Sequence, residues 1–125
     1  MIAETPKEIT LALHCHGILS VNVIYPAGDF LFQLYYEQNS SDKGVEVNGK
    51  KYICNTYSQI QTNYQLPYSV DSIKSRIVLP LEKAGILISC KPNKFRFHQR
   101  KAYRVNEEAL QNLISQWLIS QWKES

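Results

Sequence analysis

At Asn48-Gly49 the chain places two residues that accept positive φ between the strand-like runs Val45-Glu46-Val47 and Lys50-Lys51-Tyr52-Ile53. That pair suits both central positions of a type I′ turn, whose twist matches the flanking strands, so 45–53 is predicted to be an antiparallel hairpin. A lone two-stranded hairpin is marginal in water and must be covered by other elements or joined to a larger sheet. The 125 residues, 44% of them hydrophobic, are enough to supply that cover within one core.

The rest of the chain reads mainly as helices. Thr5-Pro6-Lys7-Glu8 is a cap followed by a proline at the first helical position, which predicts a helix from Pro6 to about His16, ended by Gly17. Ser20 to Tyr25 reads as extended. Pro26 interrupts, and Ala27 to Gln38 reads as a helix with Phe30, Leu31, Leu34 and Tyr35 on one stripe. After the hairpin, Asn55 or Thr56 caps a short helix to about Tyr64, with Tyr57, Ile60 and Tyr64 inward; Gln65 to Tyr68 is a turn. Ser69 caps a second helix, closed by Gly85, with Val70, Ile73, Ile77, Leu81 and Ala84 inward. Pro80 lies inside it and predicts a kink or early end.

From Gly85 the pattern turns extended. Ile86 to Lys91 is a predicted strand, Pro92-Asn93-Lys94 a turn, Phe95 to Phe97 a continuation, and Ala102 to Val105 the returning strand. Asn106 caps a last helix with Glu107 and Glu108 in its first turn and Leu110, Leu113, Ile114, Trp117 and Leu118 as its apolar stripe. The expected fold class is α+β: a winged helix-turn-helix with extra N-terminal helices, a short β-hairpin and a C-terminal helix. One domain is predicted over 1–125, with a core of about 27–106, an N-terminal extension 1–26 and a C-terminal helix 107–123.

Charge then points to a function class. The net charge is only +3, but residues 74–104 hold nine of the 14 lysines and arginines against one acid, Glu82. That segment therefore carries +8, while the remainder, five basic residues against ten acids, carries −5. A local basic region on a near-neutral body is the footprint expected of a phosphate-binding surface. A helix-turn-helix over 55–85 offers a second helix that fits the major groove, about 12 Å wide, while a basic wing lies on the backbone.

The runs Lys51-Tyr52-Ile53, Thr56-Tyr57, Ser69-Val70-Asp71-Ser72-Ile73-Lys74-Ser75-Arg76, Leu81-Glu82-Lys83-Ala84-Gly85-Ile86-Leu87, Asn93-Lys94 and Tyr103-Arg104-Val105 extend the pattern over about residues 50–106. In these the chain resembles the winged-helix domain of phage and plasmid replication-initiation proteins (replisome organisers). It differs at Ser72, where threonine is usual, and at Ser75, where arginine is usual. The resemblance implies a winged-helix fold and a role in replication.

Stepping ~100° per residue from an inward Ile73 sets Asp71, Ser72, Ser75, Val78 and Leu79 outward, with Lys74 and Arg76 on the flanks. The candidate DNA-contacting residues are Ser69, Ser72, Lys74, Ser75 and Arg76 on the helix. On the wing they are Lys91, Asn93, Lys94, Arg96, Arg100 and Lys101. Helix side chains read base edges, whereas wing cations neutralise phosphates without reading sequence. Val78 and Leu79 suit a covering helix or a dimer contact better than DNA.

The expected function is non-catalytic, sequence-specific binding of double-stranded DNA in replication initiation or transcriptional regulation. The alternative is a winged-helix protein–protein interaction module. Other features point to no chemistry. His14-Cys15-His16 lacks the spacing of a zinc site, and no metal or cofactor is expected. Cys15, Cys54 and Cys90 are scattered and fit no nucleophile signature; Cys90 alternates with Ile88 on a predicted strand and is expected to be buried. No Gly-rich phosphate loop or paired carboxylates appear, so no enzymatic activity and no small-molecule substrate are expected. Trp117 belongs to the apolar stripe, whereas Trp122 is harder to bury and suggests a homodimer through the C-terminal helix. No apolar run reaches the ~20 residues of a membrane span and no signal-peptide pattern opens the chain, so a cytoplasmic location is expected.

Overall fold

The structure is a computed structural model that describes residues 6–20, 22–40, 44–90 and 101–124. The architecture is α+β, with helices packed around a small antiparallel sheet. In chain order the elements are α1 (Pro6–Cys15), α2 (Ile24–Ser40), β1 (Val45–Val47), β2 (Lys50–Asn55) and α3 (Tyr57–Asn63). Next come α4 (Val70–Ile73), a π-helical turn (Lys74–Val78) and α5 (Leu79–Lys83), then β3 (Leu87–Cys90), β4 (Lys101–Val105) and α6 (Glu107–Glu124).

The Asn48-Gly49 turn forms as its chemistry dictates: Asn48 has φ 53° and Gly49 φ 80°, and Val47 faces Lys50 across it. The sheet order is β1-β2-β4-β3, all antiparallel. Strand β4, last in sequence, therefore lies between β2 and β3. Ile53 faces Tyr103 on one side, and Ser89 faces Tyr103 on the other.

Three helix ends close in the same way. After α1, the Ile18 N–H bonds to the Leu13 carbonyl and the Gly17 N–H to His14; after α5, Ile86 bonds to Leu81 and Gly85 to Glu82; after α3, Leu66 bonds to Gln61 and Gln65 to Thr62. Each is a Schellman closure around a residue with positive φ. Gly17 and Gly85 supply that conformation freely, while Gln65, at φ 52°, adopts it despite its Cβ. Thr56 and Gln59 form a complete capping box at the start of α3.

The core joins all layers. Ile9, Ala12 and Leu13 of α1 share one buried cluster with Phe30, Leu31 and Leu34 of α2, Ile60 of α3, Ile73, Ile77 and Leu81 of the helix after Ser69, and Leu110 and Ile114 of α6. Helices α1 and α2 meet at Gly28, where a Cβ would run into the Thr10 Oγ1.

Four expectations are corrected. The described part of the Ser20 to Tyr25 stretch, Ser20 and 22–25, does not form a strand. The Val23 N–H bonds back to the Ser20 carbonyl and α2 begins at Ile24. Pro26 sits in the first turn of α2, where a helix has no intrahelical use for an N–H, so it does not interrupt. Second, Pro80 does not end the helix after Ser69. Backbone angles stay helical through Lys74, Val78 and Leu79, and the π turn, in which the Leu79 N–H bonds to the Lys74 carbonyl, absorbs the disruption just before the proline. Third, the π turn changes the helical phase. Val78 is 0% exposed rather than outward, and Ala84 is exposed rather than inward. Fourth, Leu118 is 51% exposed and not part of the buried stripe of α6. Cys90 is half-buried, and burial pushes its thiol above the usual range.

Candidate functional site

The helix from Val70 to Lys83 owes its orientation to both ends. Ser69 caps it: its hydroxyl accepts from the Ser72 N–H at 3.2 Å and donates to the Ser72 Oγ at 3.1 Å. Inward anchoring comes from Ile73, Ile77, Val78 and Leu81, all fully buried. What remains outside is a strip of Asp71, Lys74, Ser75, Arg76, Leu79 and Lys83.

Hydrogen bonding limits what these side chains can offer. Ser75 donates its only hydroxyl proton to the Asp71 carbonyl at 2.9 Å, leaving it an acceptor towards any ligand. Ser72 accepts from Ser69 and keeps its proton to donate, from a half-buried position. The Lys74 ammonium lies 5.9 Å from the centre of the Tyr57 ring, a cation–π contact that ties it to the start of α3.

The acid and one base of the 74–104 segment are directed elsewhere. Glu82 is half-buried, and its Oε1 is buried with no hydrogen-bond partner among the described residues. Burial raises the Tyr103 hydroxyl well above the usual phenol range, reinforced by the Tyr57 side chain it bonds to and by the Glu82 charge. Glu82 therefore does not neutralise the outer strip. Arg104 pairs with Glu107 at 3.7 Å, bonds to the Lys51 carbonyl at 3.4 Å and lies 5.8 Å from the Tyr52 ring centre. Its side chain is only 13% exposed, so this cation holds β2, β4 and α6 together and faces no ligand.

Of the sequence-derived wing residues, Lys101 is described. It is half-buried at the start of β4 and faces Asn55 of β2. Asn55 lies two residues before Tyr57, so Lys101 and Lys74 flank the same end of α3. Lys91, Asn93, Lys94, Arg96 and Arg100 lie outside the described residues, as does the expected strand at Phe95 to Phe97. Cys90 faces Ala102, so the basic segment 91–100 leaves and re-enters the sheet at one end.

Two features escaped the sequence. Loop residues His16, Gly17 and Ile18 form one wall of an open groove whose other wall is Ser75, Leu79, Pro80 and Lys83. A neighbouring depression sets Ser20 and Asn22 beside Arg76. Nothing in helical periodicity brings the α1–α2 loop to this helix; only the tertiary packing does. Lys83 is legible as an outward cation once the π turn is known, because it lies two turns beyond Ser75.

On α6, Leu118 and Ile119 are 51% and 55% exposed beside half-buried Trp117. The Trp122 side chain lies outside what is described. Among the described residues no helix is long and apolar enough to cross a membrane, and no three His, Cys, Asp or Glu side chains gather in a way that can hold a metal ion. No protein-family model, curated protein or solved structure matches this chain.

Proposed function

We propose that the chain is a winged-helix domain that binds double-stranded DNA in a sequence-specific, non-catalytic way, in replication initiation or transcriptional regulation. The supporting topology is a helix (α2), a strand (β2), two helices (α3 and the Val70–Lys83 helix) and a hairpin (β3–β4) whose last strand pairs with β2. Strand β1, helix α1 and helix α6 are additions to that plan. The second of the two helices is the one that enters the major groove in a helix-turn-helix, and the hairpin is the wing.

The observation that carries the reading is the separation of roles along the basic segment. Glu82 and Arg104 face inward, while Lys74, Arg76 and Lys83 stay exposed on the groove-facing helix. An interaction module that docks by apolar contact has no use for three exposed cations against one exposed acid, Asp71, on that strip. Lys101 and segment 91–100 then supply phosphate contacts, which give affinity without sequence information. The exposed Leu118 and Ile119 on α6 suit a homodimer, in which two copies would read two half-sites.

Site-specific variants test this docking. Lys94→Ala or Arg96→Ala should weaken binding to all duplexes about equally. Changes at Ser72 or Arg76 should alter the preferred sequence by ~1–3 kcal/mol at the contacted pair. Wing variants that change preference while helix variants do not would invert the model.

A further inference from the structure

Leu79 is the large apolar side chain on the outer strip of the Val70–Lys83 helix, 44% exposed. Beside it in sequence, Val78 is fully buried. Ser75 and Lys83 line the same groove as Leu79. Lys74 and Arg76 lie exposed on the preceding turn. Along its helix Leu79 is flanked by Ser75, Arg76 and Lys83, and across the groove it borders His16, Gly17 and Ile18. An apolar protein partner seated there would have to desolvate the two cations, so Leu79 suits a dimer contact less well than its sequence position implies. It is well suited to a polyanion that presents an apolar group between phosphates. The major groove offers one such group, the 5-methyl of thymine.

Resting on the DNA-binding reading above, we propose that Leu79 is a specificity-determining residue that contacts a thymine methyl in the major groove. Ser75 strengthens the assignment. With its proton held by the Asp71 carbonyl, it cannot donate to the thymine O4 or to a purine N7, so the middle of the strip reads by apolar contact rather than by donated hydrogen bonds. Lys74, Arg76 and Lys83 then address phosphates or guanines on either side.

The test starts from a preferred duplex, selected from a random 25-base-pair library with the full chain. Each thymine in it is replaced by uracil, which removes only the methyl. One buried methyl corresponds to about a 4-fold change in affinity. We expect one or two positions where uracil weakens wild type by about that factor and leaves Leu79→Ala unaffected. Leu79→Met, which keeps an apolar contact, should retain the discrimination. A selected duplex with no uracil-sensitive position, or the same sensitivity in Leu79→Ala, overturns the inference while leaving DNA binding intact. Salt-sensitive binding with no sequence preference also overturns it. Absence of duplex binding at low salt overturns the DNA reading itself, and this inference with it.

Discussion

Gln38 stands in for a missing stretch of strand, and replacing it with methionine should cost more than any surface change in the chain. The Asn106 N–H bonds to the Ile86 carbonyl at 2.8 Å, so Leu87 and Val105 face each other as a non-hydrogen-bonded pair. The Val105 N–H and C=O therefore point away from β3, towards the side where the pairing of β2 with β4 has already stopped at Tyr103. The side-chain amide of Gln38 fills that place. Its Oε1 accepts from the Val105 N–H at 2.6 Å and its Nε2 donates to the Val105 carbonyl at 3.1 Å and to Glu107 Oε1 at 3.2 Å. Gln38 is 6% exposed and Val105 is 0% exposed, so water does not readily replace these bonds. Each orphaned buried group costs about 1–3 kcal/mol, giving ~2–6 kcal/mol for the pair. Methionine returns about 1 kcal/mol of apolar burial, which leaves a net loss of ~1–5 kcal/mol.

Urea unfolding at neutral pH should show that loss as a lower midpoint with an unchanged slope. Gln38→Glu refines the test. It keeps an acceptor for the Val105 N–H but sets a carboxylate against the Val105 carbonyl and Glu107. Burial and like charge favour its protonated form in the fold, so the folded-state pKa lies above the unfolded one. Its penalty relative to wild type should therefore shrink as pH falls below the unfolded carboxyl range and grow as pH rises through the folded value. A Gln38→Met loss below about 0.5 kcal/mol would refute the reasoning, because a net contribution that small means the Val105 groups find other partners.

Further predictions concern packing and the division of charge. Gly28→Ala should destabilise by about 1–2 kcal/mol, overpacking against Thr10 outweighing the ~1 kcal/mol gained in helix propensity, and Thr10→Ala in the same chain should recover most of it in a thermal melt. Arg104→Ala should lower stability by ~1–2 kcal/mol while leaving the salt slope of duplex binding unchanged, whereas Lys74→Ala should reduce that slope by about 1.

Local chemistry made much of this fold readable in advance. The Asn48-Gly49 turn, the Thr56 and Ser69 caps, Gly17 and Gly85 at helix ends and the Asn106 cap all act within a few residues, and all appear where their chemistry places them. The errors come from terms that local pattern does not carry. Val23 and Ile24, β-branched and strand-like in isolation, are buried at a helix entrance by tertiary packing. Pro80 was legible as a disruption, but not the way the chain absorbs it. The five-residue π turn shifts the helical phase, sending Val78 in and Ala84 out. For the site, the positions of Lys74, Ser75 and Arg76 on the outer strip follow from periodicity. The roles of Glu82 and Arg104 do not: Glu82 lies near Tyr103, and Arg104, besides its i,i+3 pair with Glu107, contacts Lys51 and Tyr52 far away in sequence. Gln38 is likewise silent in the sequence, a polar residue on an apolar stripe whose partner lies 67 residues on.

The central proposal is that the exposed cations of the Val70–Lys83 helix and the basic residues of the 91–101 sequence together bind phosphates. Fluorescence-polarisation binding of the full chain to a random-sequence 25-base-pair duplex across a salt series tests it directly. Neutralising ~5 phosphates predicts tight binding at low salt and a log–log slope near −4.5. No binding even at low salt, or binding with a slope near zero, would contradict the claim and turn attention to a protein partner on α6.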